Sequence, residues 1–116
     1  MYFGSFSCIE DVIKDFAVSS SELENATILA AVYDTGDYEG SAMVVFRKEG
    51  KLYEVHGSHC SCNGLEECWS PEETDYEALM YRIEKGTMES EYGEEFVGAL
   101  RKGLVDEMFD KEILLN

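Results

Sequence analysis

Ser41-Ala42-Met43-Val44-Val45-Phe46-Arg47-Lys48-Glu49-Gly50-Lys51-Leu52-Tyr53-Glu54-Val55-His56 is the stretch whose reading decides the fold. Ser41 to Arg47 is a strand-length run that is apolar at successive positions, so both of its faces are expected to be buried and it belongs inside a sheet. Lys48-Glu49-Gly50-Lys51 suits a tight hairpin, with Gly50 able to take a positive φ. From Lys51 to His56 the pattern alternates, with Tyr53 and Val55 on one face and Leu52, Glu54 and His56 on the other. Upstream, Thr27 to Tyr33 is another apolar run of strand length, and Asp34-Thr35-Gly36-Asp37 is a turn signal between the two. Three successive strands joined this way make an antiparallel meander.

Helical patterns flank the meander. Ser7 to Ala17 carries an S-x-x-E capping box, Ser7 with Glu10, ahead of Ile9, Val12, Ile13 and Phe16 at helical spacing. Ser21 with Glu24 suggests a short extra turn. Ser70-Pro71-Glu72-Glu73-Thr74 reads as a helix start, because proline is favoured at a first helical position and both Ser70–Glu73 and Thr74–Glu77 fit a capping box. Tyr76, Leu79, Met80 and Ile83 then line one face, and Gly86 is a natural C-cap. A further helix is expected from Glu91 to about Asp110, with Phe96, Val97, Leu100, Leu104 and Met108 as its stripe and Gly103 as a candidate break. The expected fold is α+β: a three-stranded antiparallel meander with an N-terminal helix and two C-terminal helices, in a single domain over residues 1–116.

Composition narrows the function. The 45% hydrophobic content of the 116-residue chain is that of a globular domain, and too high for a disordered one. Twenty-five acidic residues against nine Lys and Arg give a formal net charge of −16. That balance disfavours direct binding to nucleic acid, whose phosphates are recognised by Lys and Arg, and favours basic protein surfaces or metal cations. No run approaches the roughly 20 apolar residues that a membrane-spanning helix needs. The first residues lack the basic region of a signal peptide, so a cytoplasmic location is expected and the four cysteines are expected to be thiols or metal ligands.

His56-Gly57-Ser58-His59-Cys60-Ser61-Cys62, with Cys68 and Trp69 behind it, concentrates the reactive side chains. His59, Cys60 and Cys62 are the candidate metal ligands, zinc being the ion such donors favour, although the spacing is not the C-x-x-C knuckle of a structural zinc site. A second reading is a packed turn, in which Cys60 and Cys62 lie on one side beneath Trp69 as small hydrophobes. A third is thiol chemistry, with His56 beside Cys60 or Cys62. No oxyanion glycine cluster or substrate motif accompanies the thiols, so an enzyme has the least support of the three. Tyr33, Tyr38, Tyr53, Tyr76 and Tyr81 are candidates for an aromatic interface patch, or for core-edge packing.

Tyr38-Glu39-Gly40-Ser41-Ala42, Lys51-Leu52-Tyr53-Glu54-Val55 and Ser58-His59-Cys60-Ser61-Cys62 carry a resemblance, continued by Gly64, Leu65, Glu66, Trp69, Pro71, Glu72, Glu73 and Thr74. Together they resemble a group of small uncharacterised bacteriophage, prophage and bacterial proteins. That group shares a core of the form YEGSAFVLF, a hairpin, and GKLYEV-x-GSHCSC-x-GLE-x-x-W-x-PEET. The resemblance spans roughly Tyr38 to Ile83. It brings no activity with it, but implies that the Ser-His-Cys-Ser-Cys turn is integral to the fold or to a shared site; His56 and Cys68 stand outside the shared pattern.

Acidity and resemblance together point to a small accessory protein that acts by protein–protein binding. Glu72, Glu73, Glu77, Glu84, Glu91, Glu94 and Glu95 are the candidate partner-binding residues. Rows of carboxylates can imitate the phosphates of duplex DNA, so the expected partner is a basic host protein and the expected action is inhibition of a host factor. A zinc protein built on His59, Cys60 and Cys62 is the alternative, and a thiol enzyme the third.

Overall fold

In the computed structural model, Lys48 and Lys51 pair across Glu49 and Gly50. Both turn residues have positive φ, 55° and 79°, as the two-residue turns that match strand twist require. The structure describes residues 1–35, 39–60, 65, 66 and 68–115; for Glu39, His59, Cys60 and residues 107–115 it describes the backbone alone. In chain order the elements are β1 (Tyr2–Gly4), α1 (Ile9–Phe16), a 3₁₀ turn (Ser20–Leu23), β2 (Thr27–Thr35), β3 (Glu39–Lys48), β4 (Lys51–Cys60), β5 (Glu72–Thr74), α2 (Tyr76–Lys85), α3 (Thr87–Tyr92) and α4 (Glu94–Leu115).

Among the described residues the sheet has five strands in the order β1-β2-β3-β4-β5, not the three expected. The antiparallel run β2-β3-β4 is present with β3 between its neighbours, but β1 adds to it in parallel, Phe3 opposite Val32, so the sheet is mixed. At the other edge Glu72, Glu73 and Thr74 pair with Glu54, Tyr53 and Leu52. This corrects the helix start expected at Ser70–Pro71. The helix begins at Tyr76, where Asp75 Oδ1 accepts from the Ala78 amide at 2.7 Å. The Ser7–Glu10 box is also absent: the Ser7 amide donates to Asp11 Oδ2 at 2.8 Å, and Cys8 is the N-cap without a side-chain bond.

Among the described residues there are four α-helices where three were expected. Gly86 takes φ 82° and ends α2 as the sequence suggests. The break in the last helical segment falls at Gly93, while α4 runs on past Gly103. Gly93 has φ 94° and ψ 159°, a region that is essentially restricted to glycine.

Alternation along β3 divides the core. Met43 and Val45 join Leu29, Ala30 and Val32 beneath Leu79, Ile83, Met88, Tyr92, Phe96, Val97, Leu100 and Leu104 of the three later helices. Ala42, Val44 and Phe46 face the opposite way, onto Phe6, Val12, Phe16, Leu23 and Leu65. A single strand therefore supplies both apolar layers, which is why its run is apolar at every position. Among the described residues no helix is long and apolar enough to cross a membrane.

Candidate functional site

β4 runs on through Cys60, so the stretch from His56 to Cys60, expected to leave the strand as a turn, is strand. Its backbone stays in register to the end, His59 opposite Gly40 and Cys60 opposite Glu39. The side chains of His59 and Cys60, and all of Cys62, lie outside the described residues. Gly57, two residues earlier, is buried, and a Cβ there would stand 2.9 Å from Leu65 Cδ2 and 3.0 Å from Phe16 Cε1. Glycine at this position lets Leu65 and Phe16 close over the strand.

The flanking candidates are separated. Cys68 belongs to the layer with Phe16 and Phe46, and its thiol donates to the Ser58 carbonyl at 3.6 Å. Trp69 packs edge-on against Phe16 at 5.2 Å and parallel to Phe46 at 5.9 Å. His56 instead turns to Glu54 on the helical side. Cys8 caps α1 and is a free, partly buried thiol. Among the described residues no three His, Cys, Asp or Glu side chains converge as a metal site. The tyrosines also scatter: Tyr33 is buried, Tyr53 and Tyr76 pack at the borders of opposite layers, Tyr81 is 60% exposed, and Tyr38 lies outside the described residues.

The polar centre that the structure does build was not singled out from the sequence. Glu54 is only 6% exposed, and a carboxylate so placed must find partners. Arg82 of α2 supplies both prongs, Nη1 donating to Oε1 at 2.8 Å and Nη2 to Oε2. His56 Nε2 donates to Oε1 at 2.6 Å. Burial pushes the Glu54 carboxyl up, but hydrogen bonds from His56, Arg82 and Thr74, and then the Arg82 charge, outweigh it and hold it at about 2. The Arg82 guanidinium is correspondingly raised by its bond to Glu54. Burial, followed by the neighbouring Glu91, pushes the Tyr92 hydroxyl up in the same region. The centre thus ties β4, β5 and α2 together. An acid on the same strand face as Leu52 was the one sequence signal for it.

Six of the seven candidate glutamates lie on this side, whereas Glu73, paired with Tyr53 on β5, faces the opposite layer. Glu72 and Glu73 are on β5, Glu77 and Glu84 on α2, Glu91 on α3, and Glu94 and Glu95 in the first turn of α4; every one is exposed. Among the described residues the ion pairs are those of Glu54, so none of the seven is in a contact ion pair there, although the charge of Glu72 reaches Arg82. Arg82 is held by Glu54, and Lys85 lies over the Tyr81 ring, 5.2 Å from its centroid. Glu77 and Glu84 share a helix face, being seven residues and about 10.5 Å apart along the axis. Three base-pair steps of duplex DNA rise about 10.2 Å. No family model, curated protein or solved structure matches the chain.

Proposed function

We propose that the protein is an accessory protein of phage or mobile-element type, which acts in the host cytoplasm by binding a basic protein through its helical side and competing there with nucleic acid. The observation that carries this reading is the set of six exposed glutamates on that side, Glu72, Glu77, Glu84, Glu91, Glu94 and Glu95, none of them ion-paired among the described residues; Glu73 adds its charge from the other face of β5. A formal net charge of −16 adds a long-range attraction for a basic surface. The resemblance of the Tyr38–Ile83 segment to small phage and prophage proteins supports the biological setting.

The test is to identify a basic protein retained by the native chain and to measure its dissociation constant from about 50 to 300 mM salt, with and without duplex DNA. Affinity should fall steeply with salt, and DNA should compete. An affinity that stays constant across that range, or that DNA leaves unchanged, overturns the reading.

A further inference from the structure

Tyr81 is 60% exposed, the one exposed aromatic ring among the described residues, and it stands on α2 between Glu77 and Glu84. A single exposed tyrosine is ordinary, but this ring already holds a cation, with Lys85 Nζ 5.2 Å from its centroid. Helical side chains lean toward the N-terminus and positions four apart are neighbours, so Lys85 reaches back to Tyr81 while Tyr81 leans toward Glu77 and Ala78. Ala78, itself exposed, offers only a methyl group there, so the ring stays accessible. Glu77 and Glu84, four residues before the ring and three after it, are both exposed, and neither is in a contact ion pair among the described residues.

An apolar partner surface would strip water from one ammonium and two carboxylates, and an anion would meet both carboxylates. A cation with a flat face suits the ring and its flanks together. We propose that Tyr81 seats an arginine side chain of the basic partner, whose guanidinium takes the place of the Lys85 ammonium; the assignment rests on the acidic-face reading and names its anchor. A guanidinium stacks on an aromatic ring and offers a planar fork of donors to a neighbouring carboxylate, whereas a lysine ammonium is compact and strongly hydrated, so Lys85 returns to water at little cost. Tyrosine and arginine are also among the residues that dominate binding energy at interfaces. The other glutamates of the helical side supply long-range attraction, and Tyr81 supplies selectivity.

Labelled nona-arginine and nona-lysine peptides, equal in charge, separate the two contributions by fluorescence anisotropy at low salt (about 50 mM). Tyr81→Leu should weaken binding of the arginine peptide about two- to fivefold and of the lysine peptide by less, since leucine lacks the π face. Leucine is also a better helix former than tyrosine, so the fold is left intact. Tyr81→Phe, which keeps the ring, should bind both peptides as the native protein does. In the proton spectrum of the free native protein the ring should shift the Lys85 ε-methylene signal upfield, and the arginine peptide should return it toward its ordinary position. Undiminished binding of the arginine peptide by Tyr81→Leu, an equal loss for both peptides, a loss in Tyr81→Phe as large as in Tyr81→Leu, or a Lys85 signal that does not move overturns the Tyr81 assignment and leaves the acidic face standing. Failure of both peptides to bind the native protein overturns the acidic-face reading and the anchor with it.

Discussion

Glu54 makes the native state depend on acid in a way opposite to the rest of this acidic surface. Exposed carboxylates repel one another, so their protonation relieves strain as the pH falls. Glu54 is held at about 2 in the folded protein, below the ordinary 4.5. The unfolded chain therefore takes up that proton first, and the stabilisation is complete above pH 4.5 and is lost as pH falls toward 2. It amounts to about 3 kcal/mol. Urea unfolding of the native protein and of Glu54→Gln between about pH 6 and 2.5 should show a stability gap that narrows toward acid; a constant gap would contradict this account. Arg82→Met leaves a carboxylate buried without its main partner and should cost about 3–5 kcal/mol. Adding Glu54→Met should recover much of that loss, because the desolvated charge is then gone as well. A double mutant no more stable than Arg82→Met alone would count against it.

Two glycines five residues apart carry opposite expectations at the scale of the element. Gly93 separates α3 from α4 at φ 94°, with open space where a Cβ would go. Gly93→Ala should therefore destabilise by about 1–3 kcal/mol through backbone strain alone. Gly98 sits within α4, exposed, and a Cβ there would meet no neighbour within 4 Å. Gly98→Ala should stabilise by up to about 1 kcal/mol, since alanine gives up less freedom in a helix. Thermal melts of the two variants should shift in opposite directions. The three long strands were legible in the sequence because each is a run long enough to show alternation or full burial. The two short ones were not. Tyr2–Gly4 is too brief for any period, and Glu72-Glu73-Thr74 follows a proline and spans two consecutive capping patterns, so local chemistry reads helix where pairing with Leu52, Tyr53 and Glu54 makes strand. At the candidate site, the exposed glutamates of α2, α3 and α4 follow from charge and helical spacing, whereas Glu72 and Glu73 lie on a strand instead. The Glu54–Arg82 pair does not, because its partners are 28 residues apart and only the fold brings them together.

Charge and layering govern the molecule as a whole. With a formal net charge of −16, self-repulsion opposes the compact state, and salt screens it. The melting temperature should rise by several degrees between about 10 and 200 mM sodium chloride, whose screening length falls from roughly 30 Å to below 10 Å. A melting temperature that falls over this range would mean that attractive pairs outweigh the repulsion. The position of β3 has a further outcome. It is hydrogen-bonded on both sides and feeds both apolar layers, whereas β1 and β5 are three-residue strands at the two edges. Its amides should exchange with deuterium only when the entire molecule opens, while those of β1 and β5 exchange through local fraying. An edge can then loosen to meet a partner without releasing the central strands that both layers share.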